Sequence, residues 1–372
     1  MLGLYVHLPF CPYICPYCDF AKWPMRASAS QRYLRALYAE IEREPEASAS
    51  TIFLGGGTPN AYAAGDIHDV LARLQTRFGR ATEVTIELNP ELVQKDDMER
   101  YVASGVTRVS IGVQSFISSE IVTLGRKHTR EQVAFAVDAA RRAGVTSVSL
   151  DLIFAVPDQT PDSWRESLET AIGLGVDHIS TYGLTVEEGT PYAAWQTREP
   201  AAFYDQDREA DLYRIAIDAL EAAGFEHYEI SNFARRGHQC AHNANYWANG
   251  SYAGLGVGSA SYRDGERSTH TRDFEEYCSA LERGDPIPAT AERLAGGQQF
   301  GEAVMLALRT AKGVGVRLFK ERYGFDVMER CAPAVAEFTQ AGMVEFDGEF
   351  LRLTRSGRFV ANDVCGAFLS FD

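Results

Sequence analysis

The amino-acid sequence predicts an α/β protein: a partial, open (β/α)6 barrel followed by a C-terminal α+β domain that is winged-helix-like. Short runs rich in β-branched residues alternate with amphipathic helical stretches through much of the 372-residue chain. Strands that are joined through helices need crossover connections and therefore lie parallel. Six such units are too few for a closed eightfold barrel. The alternation ends near residue 204, and the tail instead predicts three short helices and a hairpin.

Each strand of the predicted barrel is followed by a helical stretch, and several of these stretches end in a glycine that suits a helix C-cap. Parallel barrels carry their chemistry at the C-terminal ends of their strands, so the residues that follow each strand are the candidate functional residues. The predicted strands are residues 4–8, 51–54, 83–88, 108–113, 147–153 and 178–182, and the predicted helices are residues 31–44, 66–78, 95–104, 130–143 and 161–174, with a long helix at 205–223 after the last strand.

Three regions follow from this pattern. Residues 1–225 form the barrel with its N-terminal cysteine loop, and residues 226–288 form an aromatic and glycine-rich connecting region. Residues 289–372 form the winged-helix-like domain, with predicted helices at 297–310, 316–323 and 332–341 and a hairpin at 343–353. The third helix carries Glu337 as its one charged residue, which predicts a packing or lid domain rather than a nucleic-acid reader.

Composition and charge exclude several classes of protein. Hydrophobic residues make up 45% and charged residues 23%, which is typical of a globular chain. The 36 Lys and Arg residues against 51 Asp and Glu residues give a net charge of -15, so we expect no nucleic-acid partner. No apolar run reaches the ~18 residues of a membrane span, and the first residues do not resemble a signal peptide. We expect a cytoplasmic protein.

Three of the seven cysteines, Cys11, Cys15 and Cys18, lie within eight residues in a C-x3-C-x2-C loop. Thiols this close indicate a metal site rather than a disulfide framework. A structural zinc ion takes four protein ligands, so zinc would need His7 or Cys240 to complete its site. A four-iron cluster held by three cysteines leaves one iron open for an exchangeable ligand. The spacing favours the cluster and leaves zinc as the alternative.

Polar residues and glycines recur at the ends of the predicted strands. Residues 55–57 are three glycines that directly follow the second strand, where missing side chains let the backbone approach a ligand closely. A flexible turn is the alternative for such a triplet. Glu87 ends the third strand, so its carboxylate is expected at the barrel mouth. Gln114 and Asp151 hold similar positions on the next two strands.

The cysteine loop resembles the signature of the radical S-adenosylmethionine (SAM) enzymes, and residues 4–20 as a whole resemble the HemN/HemW branch. The resemblance covers nearly the entire chain, and the order of its motifs makes it specific. One departure is the turn at residues 155–158 (AVPD), where the branch usually has Gly-Leu-Pro-Gly. The matching strings are residues 53–59 (FLGGGTP), 87–90 (ELNP), 110–116 (SIGVQSF), 124–126 (LGR), 151–153 (DLI) and 157–160 (PDQT).

The resemblance implies a radical SAM barrel that holds a [4Fe-4S] cluster on Cys11, Cys15 and Cys18 and binds SAM at the open iron. Tyr17 would lie against the adenosine. A structural ion pair between Arg126 and Asp151 is the alternative to their role as ligand-binding residues. The remaining SAM-binding residues that the resemblance implies are Tyr5, Gly56, Gly57, Thr58 and Glu87 for the primary molecule, and Gln114, Arg126 and Asp151 for a second.

The segment at residues 242–247 (HNANYW) matches the HNxxYW motif of HemW-type proteins, which are haem chaperones. Imidazole is a common haem ligand and aromatic rings offer flat contact area, so His242 is the predicted axial ligand. Tyr246, Trp247 and Tyr252 would form the apolar wall. The alternative is an aromatic packing motif in which His242 is a hydrogen-bonded structural residue.

Two other functions fit the same branch. Oxygen-independent coproporphyrinogen III dehydrogenases of HemN type carry a further cysteine where this chain has Phe20, and they carry an N-terminal extension. A HemN-like methyltransferase or cyclopropane-forming enzyme shares the cluster loop and a second SAM. The HNxxYW segment favours the haem chaperone, and whether the chain is also an enzyme is left open.

The resemblance also implies partners. Haem and haem-dependent recipient proteins follow from the chaperone function, and a reductant such as flavodoxin or ferredoxin follows from the cluster. A homodimer and a peripheral membrane contact are both left open by the sequence.

Overall fold

The computed structural model describes residues 1–45 and 47–369 and contains one large sheet of twelve strands. All six predicted barrel strands are confirmed, with ends within two residues of those predicted. They lie side by side in chain order and pair in parallel. Their bounds are Leu2–Leu8, Thr51–Gly56, Glu83–Leu88, Arg108–Gln114, Ser147–Phe154 and His178–Gly183.

Amphipathic helices cover the outer face of these strands, because alternate strand residues such as Leu4, Ile52 and Leu54 are apolar and fully buried beneath them. The predicted helices are confirmed, although the first begins four residues earlier than expected. The fourth shows the predicted C-terminal signal, Gly144 in the left-handed conformation, and it also begins with a Thr129–Gln132 capping box that was not predicted. Their bounds are Ala27–Arg43, Ala64–Phe78, Lys95–Ala103, Arg130–Ala143, Pro161–Gly173 and Gln206–Ala222.

The sheet extends well beyond the six parallel strands. Ser251–Leu255 pairs in parallel with Leu2–Leu8. It therefore adds a strand at the edge of Leu2–Leu8 that faces away from Thr51–Gly56. Sheet edges lie at Ala289–Arg293 and Glu226–Glu229, which do not pair with each other, so the predicted open, partial barrel is confirmed. The boundaries at 225 and 288 stay predictions, and the sheet itself crosses both. The other added strands are Asn232–Ala234, Ala260–Arg263 and Glu266–His270.

A second hydrophobic core forms in the C-terminal region around Phe300, Val304, Leu308 and Leu351. Three helices there match the predicted ones, and a three-stranded sheet includes the predicted hairpin, so the α+β winged-helix-like fold is confirmed. The helices of this region are Gly297–Leu308, Val316–Tyr323, Val327–Arg330, Ala332–Gln340, Arg355–Phe359 and Ala361–Gly366, and the strands are Val314–Gly315, Val344–Phe346 and Phe350–Leu353.

Several short elements escaped the sequence patterns. Phe10–Cys11 and Trp23–Pro24 form a small two-stranded sheet that brackets the cysteine loop. Within the part of the chain that is described, no helix is both long and apolar enough to cross a bilayer. The remaining helices are Ser118–Thr123, Pro191–Arg198, Ala241–Trp247 and Phe274–Arg283, with 3-10 turns at Pro59–Ala61, Pro90–Leu92 and Pro200–Ala202.

Candidate functional site

Two neighbouring cavities are lined by residues of the large sheet, of the cysteine loop and of nearby segments. We call the first, of about 410 Å³, the cysteine cavity, and the second, of about 530 Å³, the aromatic cavity. Asp19 and Phe20 belong to the walls of both. The predicted cluster and SAM residues other than Tyr5 line the cysteine cavity. Tyr5, His242 and the predicted wall residues Tyr246 and Tyr252 line the aromatic cavity, whereas Trp247, the third predicted wall residue, lines neither.

The cysteine loop is held in place from both of its ends. Cys11 ends a short strand, and its carbonyl accepts a hydrogen bond from the Met25 amide at 2.8 Å. On the far side, Pro16 packs against Gly125, whose φ of +67 and close approach to the proline ring leave no room for a side chain. Because the loop is pinned in this way, all three cysteines face one cavity.

The three thiols suit an iron–sulfur cluster better than a single zinc ion. Burial raises the pKa of Cys11 to about 11, so a cationic centre is needed to hold it as a thiolate. Among the described residues, no three Cys, His, Asp or Glu side chains converge as the ligands of one metal ion do. Cys240, a suggested fourth zinc ligand, lies instead beside Glu83, where the third barrel strand begins. His7 Nε2, the other suggestion, donates to the Ala21 carbonyl.

The glycines after the second strand form a tight backbone cradle beside the cysteines. A Cβ on Gly57 would lie 2.6 Å from the Pro9 carbonyl carbon, and Gly56 has a φ of +107 against the His7 ring. Only glycine meets both demands without displacing neighbours. Thr58 follows them and hydrogen-bonds to Cys11 through its side chain. These contacts favour a ligand cradle over the flexible turn considered from the sequence.

Two carboxylates line the cysteine cavity from the third and fifth barrel strands, on either side of Arg108–Gln114. Glu87 accepts a hydrogen bond from the Gly56 amide at 3.1 Å. Burial, reinforced by the charge of Asp151, raises the pKa of Glu87 to about 7. Asp151 accepts hydrogen bonds from the hydroxyls of Ser110 at 3.0 Å and Ser180 at 2.8 Å. Burial also raises the pKa of Asp151, and the two hydroxyl donors oppose that shift.

Arg126 does not pair with Asp151 in the structure, contrary to the ion-pair alternative. Its Nη2 donates instead to Asn89 at 2.9 Å and to the Gly112 carbonyl at 2.6 Å. The buried Nε of Arg126 has no hydrogen-bond partner among the described residues, so a donor is available to a bound ligand.

Gln114 lies next to Gly112 at a register irregularity between two barrel strands and has a φ of +66. A non-glycine residue in this conformation is strained, and such strain clusters at ligand sites. Tyr17 lies on the opposite wall, edge-on to Tyr192 with ring centroids 6.1 Å apart.

The aromatic cavity is walled by rings from several elements. Tyr5 stacks on Phe53 at 6.2 Å, and the Tyr246 ring meets Tyr252 edge-on at 4.6 Å. Phe20, which is 60% exposed, separates this cavity from the cysteines. A flat apolar ligand therefore fits this space, and its volume is within the usual range for small-molecule sites.

His242 lines the aromatic cavity but is only 1% exposed. Its Nδ1 lies 2.8 Å from Thr51 Oγ1, and its Nε2 lies 2.8 Å from the Tyr246 hydroxyl. Burial lowers the pKa of His242 to about 4, so the ring is neutral near pH 7. Both ring nitrogens are engaged, as the structural alternative for this histidine expects.

Sequence reasoning missed several residues of both cavities, because their positions depend on strand register and on distant segments. Ser110 and Tyr182 follow the inward-facing alternation of their strands, which was a usable signal. Arg267 and Arg272 had no local signal, since they reach the aromatic cavity from strands and turns that are distant in sequence. Other missed residues are Tyr13 and Asn89 in the cysteine cavity and Phe53 and Tyr262 in the aromatic cavity.

Comparisons with known proteins agree with this arrangement. A model of the radical SAM superfamily matches residues 5–171, and a model of the HemN C-terminal domain matches residues 298–360. The barrel, its three-cysteine loop and these matches define a radical SAM protein.

More narrowly, the chain belongs to the HemW family. It is 32% identical to the Heme chaperone HemW of Bacillus subtilis over 99% of both chains. It is 33% identical to that of Mycobacterium tuberculosis over 99% of this chain and 94% of the relative. It is 35% identical to that of Escherichia coli over 73% and 74% respectively.

Among solved structures, the chain is similar to coproporphyrinogen III oxidase (HemN) from Escherichia coli. The TM-score is 0.87, with 23% identity over 99% of this chain and 90% of the other. At that identity the likeness shows the fold alone.

Proposed function

We propose that this protein is a haem chaperone that binds haem in the aromatic cavity and delivers it to haem-dependent proteins. The observation that carries the proposal is the placement of the aromatic cavity directly beside the cysteine cavity, with Asp19 and Phe20 common to both walls. The HemW relatives named above are described as haem chaperones, which supports the same function.

The lining of the aromatic cavity suits the two chemical parts of haem. Tyrosine and phenylalanine rings offer the apolar area that a porphyrin plane needs. Arg272 is 60% exposed; its Nη2 donates to the Asp19 backbone carbonyl and lies 3.9 Å from the Asp19 carboxylate. Arg267 lies at the same cavity but already pairs with Glu292 and Glu302, so the exposed guanidinium of Arg272 is the better placed of the two to receive a propionate.

In the cysteine cavity, Cys11, Cys15 and Cys18 would hold a [4Fe-4S] cluster. The backbone at Gly56, Gly57 and Thr58 would receive the methionyl end of SAM, and Tyr17 would lie against its adenosine. The cluster and SAM together supply one-electron reductive chemistry at a sulfonium centre. The chain's own contribution is to position the two groups and to limit the access of water.

The other carboxylates and amides of this cavity complete the proposed SAM contacts. Glu87 would accept hydrogen bonds from SAM. Tyr5, which lines the adjoining aromatic cavity, would approach the same molecule from that cavity. Gln114, Arg126 and Asp151 would contact a second SAM, and the free Nε of Arg126 is the observation that supports a ligand there. The ratio of bound SAM to protein would distinguish one bound SAM molecule from two.

We further propose a cytoplasmic location, because a reducing compartment keeps cluster thiolates intact. A small electron carrier such as flavodoxin or ferredoxin would reduce the cluster. Haem-dependent enzymes would be the recipients. A homodimer and a peripheral membrane contact stay open predictions.

An anaerobic haem titration of the cluster-loaded protein tests the function. We expect stoichiometric binding with a shift of the Soret band, and transfer of haem to an apo haem protein added afterwards. The same protein, incubated with SAM, a reductant and coproporphyrinogen III, should form no protoporphyrinogen. Absence of haem binding, or efficient formation of protoporphyrinogen, would contradict the proposal.

A further inference from the structure

The aromatic cavity offers haem iron two kinds of ligand atom, imidazole nitrogen and phenolic oxygen. Its histidines are His7 and His242, and its tyrosines are Tyr5, Tyr246, Tyr252 and Tyr262. Both histidines already use both ring nitrogens. His7 Nε2 donates to the Ala21 carbonyl at 2.7 Å, and its Nδ1 lies 3.0 Å from the Tyr5 hydroxyl.

His242 is engaged in the same way, and its bonds are part of the packing of the sheet. Its Nδ1 contacts Thr51, a fully buried residue of the second barrel strand. Its ring also packs on Phe53 with centroids 5.3 Å apart. Turning a nitrogen of His242 toward an iron would break a buried hydrogen bond and uncover this contact, at a cost comparable to losing the bond itself.

Tyr246 is better placed to offer its oxygen. It lies one helical turn after His242 on Ala241–Trp247, so the two side chains share one face of the helix. Unlike the histidine, Tyr246 is partly exposed and lines the cavity. Its hydroxyl lies 2.8 Å from His242 Nε2, so a neutral imidazole already orients the phenol oxygen.

The second histidine–tyrosine pair of the cavity is less suitable. Tyr5 experiences the negative charge of Glu87, which, together with burial, raises the pKa of its phenol and opposes a phenolate. Burial raises the pKa of Tyr246 as well, but the groups that act on it after burial are the thiol of Cys240 and the phenol of Tyr252, which are neutral near pH 7, rather than a carboxylate. Tyr5 and His7 also face Glu87 and the glycine cradle, which the SAM site already uses.

We propose, building on the haem-binding function above, that Tyr246 is the axial ligand of ferric haem and that His242 is its positioning residue. On binding, the bond between Tyr246 Oη and iron forms, and the bond between iron and a solvent water breaks. The phenolic proton leaves to solvent, and His242 stays neutral, with its Nδ1 accepting from the Thr51 hydroxyl and its Nε2 donating a hydrogen bond to the coordinated oxygen. No change in iron oxidation state is required. Tyrosine is an established ligand type for haem iron, and a hydrogen-bonded neighbour tunes such a ligand.

The first test uses the unsubstituted, full-length chain loaded with its cluster and ferric haem. Protein made with ring-deuterated tyrosine is compared with unlabelled protein by resonance Raman spectroscopy, after subtraction of the haem-free spectrum. Coordination by a phenolate predicts enhanced tyrosine modes that shift on deuteration. A haem-bound spectrum without these modes overturns the proposal, while the haem-chaperone function stands.

Substitutions give a second, independent test with folding checked by circular dichroism. Tyr246→Phe should abolish the phenolate modes and weaken haem binding by about tenfold or more, whereas Tyr252→Phe should keep those modes. His242→Ala should keep the phenolate ligand while speeding haem dissociation about tenfold, and His242→Gln should restore part of the loss. Retention of the wild-type spectrum in Tyr246→Phe overturns the assignment. Failure of the wild-type chain to shift the Soret band would instead refute haem binding altogether.

Discussion

Substitution of Gly57 by alanine tests whether the backbone cradle beside the cysteines is a binding surface. An added Cβ would lie 2.6 Å from the Pro9 carbonyl carbon and 2.7 Å from the Leu8 oxygen. Ordinary contacts at this kind of site are 3.4 Å or longer, so the overlap is close to 1 Å. Both obstructing atoms belong to the backbone of the first barrel strand and its continuation, which cannot rotate away as a side chain would.

Overpacking of this kind costs about 1–3 kcal/mol, and the loop relieves it by moving away from the first strand. Displacement of the cradle should therefore weaken SAM binding by about 5- to 150-fold. Gly65→Ala is the matched control, because a Cβ there meets nothing within 4 Å on the exposed start of a helix.

Anaerobic equilibrium dialysis with SAM measures both variants against the parent, with iron content determined on the same samples. Gly57→Ala should retain its iron, since the cysteine ligands are untouched, while its affinity for SAM falls. An affinity within twofold of the parent at equal iron content would refute the idea that this backbone contacts the ligand.

Three further outcomes are expected. Cys15→Ala should lose most of its cluster iron. Cys365 is buried in the C-terminal core, so Cys365→Ala should keep about four iron atoms per chain. Equal iron content in the two variants would contradict the assignment of Cys15 as a cluster ligand. Glu87 has a pKa of about 7 and should bind SAM in its ionised form, so affinity should be near its maximum at about pH 8, about half of it at pH 7 and about tenfold weaker at pH 6, and Glu87→Gln should remove this dependence. Ala155→Gly should raise the free energy of unfolding by about 1 kcal/mol in a denaturant titration, because Ala155 has a φ of +61, and an unchanged midpoint would show that its backbone is not strained.

The sequence was most informative where one residue type alone meets a local demand. The three glycines, the cysteine spacing and Glu87 each mark a strand end, and parallel pairing then brings these ends to one cavity. The turn at residues 155–158 also meets a local demand on the backbone, although its sequence differs from the one usual in the family. Ala155 and Asp158 replace the family's usual glycines and still adopt positive φ values of 61 and 64.

Long-range pairing could not be inferred in the same way. The aromatic cavity exists because Ser251–Leu255 pairs with Leu2–Leu8, with Tyr5 opposite Gly254, across most of the chain length. Neither strand carries a local sign of that register. The orientation of His242 was also beyond the sequence, because its two hydrogen bonds depend on Thr51 and on one helical turn of the HNxxYW segment.

The wall formed by Asp19 and Phe20 has a thermodynamic consequence. An occupant of either cavity would contact the same two residues, so we expect the binding free energies at the two cavities to be coupled rather than additive. Linkage then requires reciprocity: whatever factor SAM imposes on the haem dissociation constant, haem must impose on that of SAM. If haem binds in one cavity and SAM in the other, the affinity of each ligand would therefore depend on whether the other cavity is occupied.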